Sequence, residues 1–228
     1  MKVAIIISIF MLFTVLKPNT IDANPMMCIE SGNGSLLKRT MHDCQQIVLT
    51  SKKGTLMNQA QELLLFDFRQ SSVFKQWRSI NDTVMGGISA SQLQSTKEGT
   101  ALFTGNVSLE NNGGFASLQS QPSLYNLTGY TGITLRVRGD GKRYKLSLKN
   151  NAYLDTTRYE SAFTTTKNEW ITVTIPFRDL VPTFRGTLLN NKPPLDVSSV
   201  QSFGLLISDK QEGSFRLELE WIKAYSDE

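Results

Sequence analysis

The sequence predicts an all-β sandwich of about ten strands, and three observations carry that prediction. Short apolar runs recur at close spacing between Leu63 and Trp221, as expected of many short strands separated by turns. Several runs alternate with period two, such as Ile133, Leu135 and Val137 against Thr134, Arg136 and Arg138, which suits strands with one buried and one wet face. No helical periodicity extends beyond about two turns. A chain of 228 residues with 40% hydrophobic content can bury a substantial core, and its length suits one domain plus additions.

The amino terminus precedes the strands. Met1-Lys2 is followed by residues 3–16, fourteen positions with only Ser8 and Thr14 polar. Such a run is short for a membrane span. Its basic start, apolar middle and polar tail ending near Ala23 predict a secretory signal peptide over residues 1–23, with an uncleaved anchor as the alternative. It lacks the Arg-rich amphipathic pattern of a mitochondrial transit peptide. Residues 24–62 are polar and irregular and read as an extension carrying both cysteines, Cys28 and Cys44. In an exported chain these form a candidate disulfide, worth about 3 kcal/mol in the chain-entropy model. His42 stands beside Cys44, but two cysteines and one histidine leave a zinc set incomplete, so no metal is expected.

The strands follow within residues 63–225. Residues 63–68 form a short buried strand, and residues 88–93 form the next. Residues 101–109 place Phe103, Gly105, Val107 and Leu109 on one face, and residues 115–119 follow. The alternating strand at 133–138 runs into Asp140-Gly141, a two-residue hairpin signal. The returning strand turns Tyr144, Leu146 and Leu148 inward and Lys145, Ser147 and Lys149 outward. Residues 161–166 form a polar strand, and Ile171, Val173 and Ile175 alternate up to Pro176, where the ladder loses a donor. Residues 178–198 hold Pro182, Pro193 and Pro194 and read as a long irregular connection, functional or mobile. The chain closes with Phe203, Leu205 and Ile207, then Phe215, Leu217, Leu219 and Trp221, with Arg216, Glu218 and Glu220 on the other face. Periodicity leaves jelly-roll and immunoglobulin-like topologies both open.

Two loops stand out. Residues 77–89 lack a period and read as a loop that enters a strand near Ile88. Asn81 and Asp82 have short side chains that bond local backbone and hold turns. Gly86-Gly87 supplies torsions that other residues avoid and permits close approach. The pattern recurs in Asn111-Asn112-Gly113-Gly114-Phe115, which suggests one shared rim. Trp77 is either an exposed anchor, of the kind interfaces favour, or a plug at one end of the sandwich. Asn81 and Asp82 either touch a partner, or a calcium ion through their oxygens, or cap the turn. Met85 reads as filler beneath the loop, and Phe115 as core before contact. Arg136 and Arg138 lie on a wet strand face, as solvated charge or as a patch for an acidic partner.

Trp77, Asn81-Asp82, Val84-Met85-Gly86-Gly87, Ser89, Phe103, Gly105 and Asn111-Asn112-Gly113-Gly114-Phe115 together resemble the complex I intermediate-associated protein 30 family. The match continues more loosely through residues 135–141, Trp170, Pro176-Phe177 and Phe184-Arg185-Gly186. The resemblance implies a galactose-binding-like jelly roll over residues 63–225 and a non-catalytic, protein-binding role in assembling NADH:ubiquinone oxidoreductase. The partner would then be a membrane-complex subunit, held at a rim of Trp77, Asn81, Asp82, Met85, Asn111, Asn112, Phe115 and Arg138. Galactose-binding-like sandwiches also hold sugars at loop rims, so a carbohydrate-binding module is the alternative, with Trp77 stacking on a ring.

Other chemistry finds little support. Net charge is +4 with scattered Lys and Arg, which does not point to nucleic acid. The single histidine, His42, falls outside the predicted sandwich, so a Ser-His-Asp arrangement is not expected. Asp82, Glu110, Asp140 and Asp155 are candidate acids or bases, and nothing pairs any two of them. No phosphate-cradling loop occurs, and no cofactor is expected. Sequons at Asn33, Asn81, Asn106 and Asn126 read as chance. The leader and cysteine pair predict an exported protein, periplasmic or extracellular, with a mitochondrial or membrane-anchored one as the alternative. Membrane contact is expected only through an uncleaved leader.

Overall fold

Thirteen strands build the described part of the chain. The computed structural model describes residues 61–153 and 156–227, which fall within the compact unit Thr55–Glu228. The leader, Cys28, His42, Cys44, the Asn33 sequon and Asp155 lie outside the described residues. In chain order the strands are β1 (Glu62–Asp67), β2 (Trp77–Asn81), β3 (Ala90–Ser95), β4 (Ala101–Val107), β5 (Ala116–Ser120), β6 (Gly132–Gly139) and β7 (Arg143–Lys149). They continue as β8 (Arg158–Thr164), β9 (Trp170–Pro176), β10 (Val181–Phe184), β11 (Thr187–Leu188), β12 (Ser202–Ile207) and β13 (Gly213–Tyr225). One α-helical turn, Ser71–Phe74, lies between β1 and β2.

The strands form two antiparallel sheets, the expected jelly-roll sandwich. The six-stranded sheet runs β3-β4-β13-β6-β9, with β1 also pairing β13. The seven-stranded sheet runs β11-β10-β8-β7-β12-β5-β2. Alternation decides which side chains enter the core between them. Ile133, Leu135 and Val137 from one sheet and Tyr144, Leu146, Leu148, Phe203, Leu205 and Ile207 from the other have no exposed surface. Each such side chain contributes roughly 1.5–3 kcal/mol by leaving water.

Four local expectations are corrected. Asp140-Gly141 does not close a hairpin, because β6 belongs to one sheet and β7 to the other. The turn is a corner between the layers. The Asp140 carboxylate fixes it by accepting bonds from Lys142 N, Tyr144 Oη and Arg216 N at 3.0, 3.0 and 2.9 Å. Residues 77–81 are a strand and not a loop. As the edge of its sheet, β2 pairs only with β5, and its one-sided burial leaves no clean alternation. Residues 178–198 contain the β10–β11 hairpin. Its turn has Arg185 and Gly186 both at positive φ, 47° and 79°, a conformation that an arginine does not advertise. In β13 a register shift between Leu219 and Trp221 sends Ile222 and Ala224 into the core. Trp221 turns outward, where Lys223 Nζ lies 4.5 Å from its ring centre.

Candidate functional site

The two motif loops are joined by one carboxylate. Asp82 has no exposed surface. Its Oδ1 accepts the Ser89 backbone N–H at 2.9 Å. Its Oδ2 accepts Ser89 Oγ at 2.5 Å, Gly114 N at 2.7 Å and Phe115 N at 3.2 Å. Burial pushes this carboxyl upward, but the bonds from Ser89, Gly114 and Phe115 outweigh it and hold the group below the ordinary aspartate value. A carboxylate fed by several backbone N–H groups is stabilised in its charged form.

The glycines follow from that carboxylate. A Cβ on Gly87 would stand 2.4 Å from Asp82 Cγ, and one on Gly113 would stand 2.6 Å from Asp82 Oδ2. Ser89 Oγ also accepts Ser108 N at 2.9 Å, tying in the end of β4. Asn81 Oδ1 accepts Ser91 Oγ at 2.6 Å. The two loops are therefore clamped to each other.

The clamp turns apolar side chains outward. Val84 is 68% exposed, Met85 51% and Ile88 52%. Beside them opens a cleft of about 490 Å³. One wall is Ile80, Val84 and Met85, and Asn112 and Phe115 come from the second loop. Lys145, Arg158, Glu160 and Leu206 lie on the sheet floor, with Arg185 and Asp209 beyond. The floor is the outer face of the seven-stranded sheet, and strand register orders it into rows. Ile80, Ser117, Leu206, Lys145 and Ala162 share one row. Arg78, Gln119, Gly204, Ser147, Glu160 and Val181 share the next. Ser202 and Lys149 pair in the third, and Arg158 pairs with Thr183 beside them.

Charge is uneven along this floor. Lys145 is paired with Asp209 at 2.6 Å. Lys149 is 3% exposed, and its Nζ donates to the Tyr153 carbonyl at 2.8 Å. Burial, then the positive charges of Arg158 and Arg78, push Lys149 down to about 8.

The sequence candidates divide accordingly. Asn81, Asp82, Met85, Asn112 and Phe115 meet around the clamp and cleft. Asn111 is an exposed neighbour at φ 53°. Met85 is no filler beneath the loop, since half of it is exposed. Asp82 offers nothing to a partner, because it is enclosed and its oxygens are occupied. Trp77 is 6% exposed and packs at 5.0 Å on Phe66 and 5.5 Å on Phe68 between ring centres, so it is core and no surface anchor. Arg138 lies on the six-stranded sheet, away from the rim. It is bound to buried Glu218 at 2.8 Å and to Glu98 at 2.8 Å, with its guanidinium 5.0 Å from the Trp170 ring centre. Sequence reasoning missed Val84, Ile88 and the floor cations. The available signal was Gly204 inside an apolar strand, since a glycine there marks a close approach or a missing side chain.

The family model described as Complex I intermediate-associated protein 30 matches residues 66–219. A Caenorhabditis elegans protein named probable complex I intermediate-associated protein 30, mitochondrial, is 28% identical over 160 residues, 62% of this chain and 47% of that protein. The Mus musculus complex I intermediate-associated protein 30, mitochondrial, is 25% identical over 192 residues, 75% of this chain and 58% of that protein. The chain thus spans about half the length of these relatives. A family 11 carbohydrate-binding module from Clostridium thermocellum, solved with a β-1,3-1,4-mixed-linked tetrasaccharide, aligns with TM-score 0.55 at 16% identity, covering 72% of this chain and 95% of its own. An agarase aligns with TM-score 0.51 at 12% identity, covering 73% of this chain and 25% of its own. At these identities the structures speak to fold alone. The relatives' mitochondrial names overturn the expectation of an exported, periplasmic or extracellular protein.

Proposed function

This chain belongs to the complex I intermediate-associated protein 30 family, and from that premise we propose that it is a non-catalytic protein-binding module that holds a complex I subunit during assembly. The proposal sets it in the mitochondrion, in keeping with the relatives' names. One observation carries the docking surface: Val84, Met85 and Ile88 stand exposed on a loop that Asp82 clamps. Apolar side chains carried on a fixed backbone spare the cost of ordering the loop on association, so more of their burial appears as affinity. The non-catalytic reading has chemical support as well. The Asp82 and Asp140 carboxylates are spent on fixed donors, Asp82 on Ser89 and Gly114 and Asp140 on Lys142 and Arg216. The carbohydrate reading loses its stacking platform, because Trp77 is enclosed by Phe66 and Phe68.

The test is photocrosslinking in intact mitochondria with a benzophenone side chain at Met85. The expected adduct is a complex I subunit, identified by mass spectrometry. Val84→Asp should cut its yield at least about five-fold while leaving the unfolding temperature unchanged, as surface substitutions do. Equal yield from a probe at Thr172, on the other sheet, would sink the proposal. So would binding on a glycan array with no subunit adduct.

A further inference from the structure

The third row of the cleft floor has a feature that apolar docking does not require. Lys149 is almost wholly enclosed and, among the described residues, makes one hydrogen bond, to a backbone carbonyl, although an ammonium carries three donors. Arg158 and Arg78 add charge to the same locality, and neither has an ion pair among the described residues. Between them Gly204 leaves a gap in a central strand, where a Cβ would stand 2.5 Å from Ser147 Oγ. The gap is a cavity of about 10 Å³ lined by Gln119, Ser147, Lys149, Arg158 and Ser202, room for about one water-sized atom. The one carboxylate on the adjoining row is Glu160, which sits beside Ser147 and is outnumbered by the three cations. Buried charges are ordinarily paired, and among the described residues no carboxylate is bonded to Lys149, Arg158 or Arg78, so an anionic group would complement this pocket.

We propose that the cavity over Gly204 receives a carboxylate from an acidic, extended segment of the partner protein. This rests on the docking reading above and adds the chemistry of what docks. Register fixes the spacing. The apolar row holding Ile80 and Leu206 lies two rows from Lys149, four residues along a strand, or about 13 Å. An extended segment with an apolar residue at one position and Asp or Glu four positions on presents both side chains to one face. The apolar residue fills the cleft beside Met85 and Phe115. One carboxylate oxygen enters the cavity and accepts from Lys149 Nζ, and the other meets Arg158.

The test uses the full chain and fluorescein-labelled dodecapeptides of Gly and Ser carrying one Leu and, four positions later, either Glu or Gln. Fluorescence anisotropy should show the Glu peptide binding at least about ten-fold more tightly than the Gln peptide, with the advantage shrinking as salt rises from about 50 to 300 mM. Lys149→Met and Arg158→Gln should each remove most of that advantage, and Gly204→Ala should do so by filling the cavity. Equal binding of the two peptides overturns the acidic specificity. If Met85 still crosslinks to a complex I subunit in that case, docking survives and only this inference fails. Lys149-dependent binding of a heparin oligosaccharide without binding of the Glu peptide would replace the protein segment with a glycan and likewise overturn it.

Discussion

Asp82 and Lys149 are both charged and both buried, yet the fold surrounds them in opposite ways. Four donors from two loops converge on Asp82, and two glycines make room for it. Among the described residues Lys149 has one carbonyl and two like charges nearby, beside a small cavity. A fully satisfied buried charge is a structural fastener, whereas a partly satisfied one costs stability and clusters at functional sites. The difference separates the scaffold that fixes the rim from the surface that meets a ligand. It also reassigns the first motif, whose carboxylate belongs to the scaffold.

The sharpest way to break this contrast is Asp82→Asn. The amide keeps the shape but turns one acceptor into a donor facing backbone N–H groups. Loss of charge-assisted bonds at a buried site should cost about 3 kcal/mol, lowering the unfolding temperature by about 10 °C for a domain of this size. The pH dependence follows from the lowered pKa. Asp82's contribution is complete above the unfolded value of about 3.9 and drains away as pH falls through the lower folded value. Glu218 behaves similarly: burial raises it, and bonds from Thr100, Arg138 and Arg216 outweigh burial. The variant should therefore flatten part of the acid limb in urea midpoints measured from pH 6 to pH 2. An unchanged acid limb would remove Asp82 from the role of fastener.

Gly87→Ala probes the same fastener from outside. The new Cβ would stand 2.4 Å from the Asp82 carboxylate, an overpacking that should cost about 2 kcal/mol. Combined with Asp82→Ala, the part of that cost owed to the carboxylate should vanish, while the contact with the Asp82 Cβ at 2.8 Å remains, giving a coupling of about 1 kcal/mol between the pair. Denaturant unfolding of the four proteins measures it. Strict additivity would mean that Gly87 answers to its own backbone and not to the carboxylate.

Much of the scaffold was legible in the chain, and the reason is periodicity. Tyr144, Leu146 and Leu148 alternate with polar residues, so their inward direction follows from strand geometry alone. The recurring Asn/Gly pairs also drew the eye to both loops. What joins them, a bond from Gly114 N to Asp82 across 32 positions, is a contact that no local spacing encodes. Trp77 misled because an edge strand buries one side only, so its run looked like loop. Lys149 misled for a different reason. Its outward direction was readable, but "outward" was taken to mean water, and here the side chain is enclosed, with its ammonium bonded to the Tyr153 carbonyl. Asp140-Gly141 has the composition of a hairpin, and only sheet membership shows that it is a corner.

Lys149→Met completes the comparison with the smallest effect and the opposite sign. Lys149 has a folded pKa pushed to about 8, below the unfolded value of about 10.4. Between these values the unfolded chain binds more protons, so this residue makes stability rise with pH, whereas below about 8 its penalty is constant. Burial is the largest cause of the shift, followed by the charges of Arg158 and Arg78, while Glu160 lies on the adjoining row. Methionine keeps much of the stem's packing and removes the charge, at the loss of the bond to Tyr153. The net gain at pH 7 should be about 1 kcal/mol, seen as an unfolding temperature higher by about 3 °C. The gap from the parent protein should narrow from pH 8 to pH 10.5. A variant that gains stability while losing the acidic peptide would mark Lys149 as a residue maintained for binding. A variant that loses stability would mark it as a second fastener, and the contrast with Asp82 would fail.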